Sequence, residues 1–128
     1  SSFLTGLDFL ICLLPLTPET EGILNAQVFA ALPPHAVLIH VGRGRQLVEQ
    51  DLLDAIDCGR LRAAVLDVFA CEPLPADHPF WRRPRIRVTP HVAAYSLPAT
   101  GAQVVAENIR RLHAGLPLLH QVARDRGY

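Results

Sequence analysis

The chain has 128 residues, of which 50% are apolar and 19% charged, as is ordinary for a globular domain. Its 12 basic and 12 acidic side chains give a formal net charge of zero, so no charge excess points to nucleic acid or an anionic membrane. The longest apolar run, near residues 9–16, is too short to span a bilayer, and the first residues lack a secretory signal.

Apolar runs of strand length alternate with helical patterns in the first part of the chain. FLICLL (9–14) predicts a strand, and AVLIHV (36–41) predicts the next one. Between them, Asn25 is the predicted N-cap of a helix over AQVFAAL, and Pro33 and Pro34 end that helix.

The alternation continues to the end of the chain. LVEQDLLDAIDCG (47–59) predicts a helix that ends at Gly59, a residue typical of helix C-termini. RAAVLDVF (62–69) and RIRVTP (85–90) predict two further strands on either side of a proline-rich loop. The helical pattern returns over residues 98–114 and is followed by an irregular tail.

This order predicts an α/β fold with about four parallel strands joined by right-handed crossovers. Because the strands are continuously apolar, we expect helices on both faces of the sheet. Gly42-Arg43-Gly44 begins like a dinucleotide-binding fingerprint, but Leu47 stands where that motif requires a small residue. The glycine-rich loop is therefore absent, and we expect the C-terminal part of a Rossmann-type parallel sheet, truncated at the N-terminal side.

Three chemically active side chains follow predicted strands: Arg43 in VGRGR, Glu72 in LDVFACEP and His91 in VTPHVAAY. In parallel α/β sheets, ligands bind at the carboxyl ends of the strands, so we expect these residues to meet in one catalytic site. An arginine, a carboxylate and a histidine suit a hydride-transfer enzyme that holds a 2-keto acid and protonates its carbonyl.

Four motifs in this order, LLPLTPETEGILN, VLIHVGRGRQLVEQDLLDAI, LDVFACEPLPADHPFW and VTPHVAAYS, resemble the D-2-hydroxyacid dehydrogenases, with the glyoxylate/hydroxypyruvate reductases as the most similar branch. The resemblance covers nearly the whole chain but only the C-terminal part of such an enzyme. It implies that residues 1–97 are the later part of an NAD(P)-binding domain. Residues 98–128 would be a crossover helix and tail that pack on the substrate domain.

The resemblance also implies roles for individual residues. His91 would be the general acid, Glu72 the carboxylate that orients it, and Arg43 the clamp on the substrate carboxylate. Asp67 would accept a hydrogen bond from the nicotinamide carboxamide. The implied cofactor-binding residues are Pro15, Leu16, Thr17, Val41, Gly42, Arg43, Asp67 and His91.

Each of these residues also has a purely structural interpretation. A loop histidine satisfied by backbone groups would explain His91, and a solvated glutamate before a proline would explain Glu72. Asp67 would then be a loop or cap acid. Arg45 competes for the role of Arg43, although the position in the motif favours Arg43 and makes Arg45 a solvated turn residue.

Two further features bear on how the site is tuned. His40 stands where the family usually has asparagine, and Glu49-Gln50 replaces the usual Asp-Glu. Neither departure belongs to the proton-transfer trio.

We expect Trp81 in the core or at an interface, with an influence on substrate preference as the alternative. The three cysteines lack metal-ligand spacing, so we expect no metal and a reduced, cytoplasmic protein.

We therefore predict an oxidoreductase that uses NAD(P)H to reduce a small 2-keto acid of the glyoxylate/hydroxypyruvate type to the D-2-hydroxy acid. The sequence does not choose between NADH and NADPH, and we expect little activity from these residues alone. The competing hypothesis is a non-catalytic fragment or self-associating domain, and a homodimer is compatible with either. A third interpretation, a homocysteine-releasing hydrolase, is disfavoured, because it would need polar residues around the Thr89-Pro90-His91 segment that the sequence lacks. We expect neither nucleic acid nor membrane as a partner.

Overall fold

Four short strands form one sheet in the structure, a computed structural model that describes residues 2–124. They are β1 (Phe9–Cys12), β2 (Val37–His40), β3 (Ala63–Leu66) and β4 (Ile86–Val88). The sheet has the order β1-β2-β3-β4, and every neighbouring pair is parallel. The predicted α/β fold with a parallel sheet is confirmed. All four strands end at the same edge, where the loops that follow them meet.

Two helices connect the first three strands: α1 (Ala26–Ala31) and α2 (Glu49–Asp57). Asn25 caps α1 as predicted, because its side-chain oxygen accepts hydrogen bonds from the amides of Gln27 and Val28. Helix α1 ends before the prolines, with Leu32 in an extended conformation. This agrees with the steric restriction that a proline places on the residue before it.

The start of α2 differs from the prediction by two residues. Leu47 forms a parallel bridge with Leu24, so it belongs to an extended segment rather than to a helix. The Leu24 amide donates to Gln46 O at 2.9 Å, and the Val48 amide donates to Leu24 O at 2.9 Å. Periodicity could not reveal this pairing, because a buried leucine suits both conformations. Gly59 follows α2 with a φ of +76°, which fits its predicted role at the helix end.

Helices α1 and α2 lie on the same face of the sheet. Leu10, Leu38 and Ala64 stand side by side in register and are buried in one cluster with residues of both helices. On the opposite face, Phe9 is 54% exposed and Ile11 is 53% exposed. The expectation of helices on both faces is therefore not met within residues 2–93. The strands advance in one direction, and right-handed crossovers then place successive helices on one face.

Residues 94–124 belong to a second compact unit. Its helix, α3 (Pro98–His113), ends one residue before the predicted end and buries none of its side chains. Asn108 holds the tail to this helix, because its side chain donates to Leu119 O at 3.3 Å and accepts from the Leu119 amide at 2.8 Å. Within residues 2–124, no helix is long and apolar enough to cross a membrane. The proposed roles of residues 1–97 and 98–128 stay predictions.

Arg60 provides a stability test of the packing between α1 and the sheet. Its guanidinium donates to Phe29 O at 3.2 Å, to Leu32 O at 2.8 Å and to Ala30 O, all at the C-terminal end of α1. Arg60→Ala should lower the free energy of unfolding by about 1–3 kcal/mol, because charged hydrogen bonds to these carbonyls are lost. Denaturant unfolding checks this, with the exposed Arg62→Ala as the control. Equal stability of the two variants would contradict it.

Candidate active site

Arg43, Glu72 and His91 lie together at the carboxyl edge of the sheet. Arg43 follows β2, Glu72 follows β3 and His91 follows β4, so parallel pairing brings their loops to one place. The three side chains line a single cavity of about 280 Å³, together with Leu16 and four other residues. The structure thus brings together the three residues that were predicted to be catalytic.

Glu72 and His91 form the closest side-chain pair of this cavity. His91 Nδ1 lies 2.8 Å from Glu72 Oε2, and the Phe69 amide donates to Glu72 Oε1 at 2.9 Å. The hydrogen bond from His91, followed by that from Phe69, holds the pKa of Glu72 below its usual value. An ionised Glu72 accepts a hydrogen bond from the Nδ1–H of the imidazole, which leaves Nε2 as the ring atom that faces away from the carboxylate.

The backbone at His91 adopts the left-handed conformation, with a φ of +54°. Few non-glycine residues take this conformation, and those that do cluster at functional sites. Asp67 stabilises the segment: its carboxylate accepts hydrogen bonds from the amides of Val92 at 3.0 Å and Ala93 at 2.9 Å, and from the hydroxyl of Thr89. The side chain that follows β3 thereby fixes residues on both sides of His91.

Asp67 is only 1% exposed. Burial by itself opposes ionisation, but the hydrogen bonds from Thr89, Ala93 and Val92 outweigh it and lower the pKa of Asp67. The structure therefore shows an ionised acid that organises the His91 segment. Its predicted contact with a nicotinamide carboxamide stays a prediction.

The backbone of Arg43 is bound from both sides. Its amide donates to Gln46 Oε1 at 2.8 Å, and its carbonyl accepts a hydrogen bond from His40 Nε2 at 3.0 Å. Gly44, the next residue, packs directly on the backbone of Phe69, where a Cβ atom would overlap the Phe69 carbonyl. Only glycine leaves room for this approach, which places the Arg43 turn beside the loop of Glu72.

The other predicted site residues surround the cavity less closely. Only Leu16 of the expected cofactor wall is among its lining residues. Arg45 also lines it and pairs with Glu21 at 2.6 Å, with 62% of the Arg45 side chain exposed. The residues outside the lining are Pro15, Thr17, Val41, Gly42 and Asp67. These follow β1, β2 or β3 and so belong to the same edge of the sheet.

Sequence reasoning assigned no role to Gln46 and noted His40 only as a departure from the family pattern. Both are fully buried polar residues beside the Arg43 turn. A histidine that ends an apolar strand was the available signal for His40. The partners of Gln46 lie 31 and 32 residues earlier in the chain, beyond the reach of local patterns.

A second and larger cavity, of about 520 Å³, adjoins the first and shares Phe69, Glu72 and His91 with it. Trp81 lines this cavity and is 52% exposed, so it is not a core residue in the described structure. Among residues 2–124, no group of three or more His, Cys, Asp and Glu side chains is placed to hold a metal ion.

Residues 1–93 match the family model described as D-isomer specific 2-hydroxyacid dehydrogenase, NAD binding domain. The chain is 56% identical over 115 residues to glyoxylate/hydroxypyruvate reductase A of Serratia proteamaculans. That alignment covers 90% of this chain and 37% of the relative. The corresponding protein of Yersinia enterocolitica is 47% identical over 127 residues, with 99% of this chain and 41% of the relative covered.

Solved structures show the same relationship. The NADPH-dependent glyoxylate/hydroxypyruvate reductase of Sinorhizobium meliloti, in complex with NADP and sulfate, has a TM-score of 0.94 and 46% identity, with 99% of this chain and 42% of that chain covered. A D-isomer specific 2-hydroxyacid dehydrogenase of Xanthobacter autotrophicus, in complex with NADPH and MES, has a TM-score of 0.95 and 46% identity, with 99% and 52% covered.

The chain thus spans about two-fifths of the length of its curated relatives, between 36% and 41%. The matched family model covers residues 1–93, which include Arg43, Glu72 and His91. The resemblance inferred from the four motifs is confirmed, and the chain belongs to the D-isomer specific 2-hydroxyacid dehydrogenase family.

Proposed function

We propose that the protein containing this chain reduces a small 2-keto acid, of the glyoxylate or hydroxypyruvate type, to the D-2-hydroxy acid with NAD(P)H. The observation that carries this proposal is the cavity that Arg43, Glu72 and His91 line together, with His91 and Glu72 at 2.8 Å. The relatives named glyoxylate/hydroxypyruvate reductase support the choice of substrate class.

The carboxyl edge of the sheet fits one end of a nicotinamide cofactor. Leu16 gives the catalytic cavity an apolar wall beside its polar trio, which suits a flat ring that carries a polar carboxamide at its edge. Pro15, Thr17, Val41 and Gly42 extend this edge, and Asp67 closes it at β3. A bound NAD(P)H supplies hydride to the keto carbon.

Gly42-Arg43-Gly44 does not form a loop that could bind the pyrophosphate of that cofactor. Leu47, at the position that a dinucleotide fingerprint reserves for a small residue, is buried in the hydrophobic core. The proposed activity therefore needs a glycine-rich loop from outside this chain, and we propose that these 128 residues alone have little of it.

His91 and Arg43 act on different groups of the substrate, the carbonyl and the carboxylate. The proton on His91 Nε2 passes to the carbonyl oxygen as the keto carbon is reduced, while Glu72 stabilises the charged imidazole through Nδ1. The guanidinium of Arg43 binds the substrate carboxylate with two parallel hydrogen bonds, which fixes the face of the carbonyl that is presented.

Replacement of His91 tests the proposal directly. His91→Ala in the complete protein should lower kcat for glyoxylate and hydroxypyruvate by at least about a hundredfold, because the proton donor is lost. Nicotinamide absorbance at saturating cofactor gives the rate. His35→Ala, an exposed histidine beside Asp8, is the matched control and should keep the rate. A His91→Ala protein with full activity would refute the assignment.

The pH profile isolates the part played by Glu72. Its pKa is lowered in the folded protein, so the carboxylate is ionised across the neutral range and accepts the hydrogen bond from His91 Nδ1. As the pH falls through this lowered pKa, the reduction rate should fall, because the imidazole loses its charged acceptor. Glu72→Gln cannot titrate, so it should lower kcat at neutral pH and lack this acid limb. The contribution of the ionised carboxylate to stability should be lost over the same pH range. A Glu72→Gln protein that keeps the acid limb of the parent would contradict this role.

The second candidate function is self-association, and the outer strand of the sheet favours it. Strand β1 lies at one edge of the sheet, its uncovered face carries exposed Phe9 and Ile11, and Leu13 beyond it is 72% exposed. Unpaired strand edges with apolar side chains pair readily with other chains. Sedimentation of this chain over a range of concentrations should show dimers, and Ile11→Lys should suppress them. A monomer at all concentrations would remove this candidate.

A further inference from the structure

Gln46 is completely buried and uses both ends of its amide. Its oxygen accepts from the Arg43 amide at 2.8 Å and from the Cys12 thiol at 3.7 Å. Its nitrogen donates to Leu14 O and Pro15 O, each at 3.0 Å. One side chain therefore joins the Arg43 turn to the loop after β1, which borders the proposed cofactor site.

His40 holds the other side of the same residue. It is completely buried, and its Nε2 donates to Arg43 O at 3.0 Å. Within residues 2–124, its Nδ1 is a buried ring nitrogen without a hydrogen-bond partner. An unpaired buried polar atom destabilises a fold, so a plain core position would favour an apolar residue of this size. The side-chain hydrogen bond that His40 makes goes to the arginine turn.

We propose that His40 and Gln46 are positioning residues that fix the backbone of Arg43 from its carbonyl and its amide, and that Gln46 also couples Arg43 to the loop at Leu14 and Pro15. The inference rests on the proposed function, since Arg43 is the residue that would bind the substrate carboxylate. The two side chains differ in reach: the hydrogen bond of the His40 ring goes to the arginine turn, whereas the hydrogen bonds of the Gln46 amide reach both loops.

This difference predicts separate kinetic signatures. The Arg43 carbonyl also accepts a hydrogen bond from the Gln46 amide at 3.0 Å, so loss of the His40 bond loosens the turn without freeing it. A looser turn presents the guanidinium less precisely, so the substrate carboxylate binds more weakly. Because the loop after β1 is untouched, cofactor binding should not change. Release at Gln46 frees both loops, so the binding of keto acid and cofactor should weaken together.

His40 is tested in the complete protein with three variants. His40→Leu should raise the KM for glyoxylate about five- to tenfold, since a hydrogen bond of about 1 kcal/mol is lost, with the Kd for NADPH within about twofold. His40→Gln returns an amide donor close to the position of Nε2 and should restore the KM. His35→Leu, at the exposed surface, is the control for the loss of a histidine. An unchanged KM in His40→Leu, or no rescue by His40→Gln, would overturn the role of His40.

Gln46→Met keeps the length of the side chain and removes its amide. It should raise both the KM for glyoxylate and the Kd for NADPH, measured by nicotinamide fluorescence, by about fivefold or more. Gln27→Met, on the exposed face of α1, is the matched control. A rise confined to the keto acid would overturn the coupling between the two loops.

NMR of the unmodified complete protein tests how His40 and Gln46 hold the Arg43 backbone, without any measurement of turnover. The two hydrogen bonds require a proton on Nε2 of His40 and an Arg43 amide that is protected from hydrogen exchange. A His40 ring with Nε2 unprotonated, or a rapidly exchanging Arg43 amide, would overturn the proposal, even if the variants fail to fold. A protein that reduces no keto acid but shows both signals would refute the proposed function, while the roles of His40 and Gln46 in holding the Arg43 backbone would stay supported.

Discussion

The buried carboxylate of Asp67 is the interaction on which the arrangement of the site depends. It lies at the end of β3 and binds Thr89, Val92 and Ala93, which surround His91 in the chain. These three bonds hold His91 in a backbone conformation that is unfavourable for a residue with a side chain. The imidazole consequently meets Glu72, which follows the same strand as Asp67. Strand β3 therefore leads into both the anchor of the His91 loop and the partner of its ring.

The Arg43 turn is held by different means. Hydrogen bonds from the buried side chains of His40 and Gln46 fix its backbone, and its guanidinium lines the cavity while it donates to Gly42 O at 2.7 Å. In the His91 loop a buried charge fixes the backbone, and a second carboxylate fixes the side chain. The contrast suits the proposed chemistry, because a carbonyl competes less strongly than a paired carboxylate with the substrate for the guanidinium.

The sequence was sufficient for the parts of the fold that depend on local patterns. Apolar runs located the strands, Asn25 marked the start of α1, and parallel topology placed Arg43, Glu72 and His91 at one edge. The roles of these residues rest on the resemblance and remain proposals. The predicted start of α2 was wrong, because Leu47 pairs with Leu24 in a contact between separate segments of the chain.

The supporting contacts of the site escaped prediction for the same reason. Asp67 reaches donors 22 to 26 residues further along the chain, and Gln46 reaches acceptors 31 and 32 residues before it. No pattern of neighbouring residues encodes such pairs. The exposed face of β1 was also unexpected, because a continuously apolar strand indicates a sheet covered on both faces, whereas alternate residues of β1 are exposed.

The contact between Gly44 and Phe69 connects the Arg43 turn to the loop that carries Glu72. Gly44 follows Arg43 and presses on the Phe69 backbone, while the Phe69 amide binds Glu72, which in turn binds His91. Close-packed interiors transmit displacement rather than absorb it. A side chain at residue 44 would displace Phe69, and the displacement would reach His91, the proposed proton donor, through two hydrogen bonds. The Arg43 turn and the His91 ring are therefore coupled, and a change in the backbone of one should displace the other.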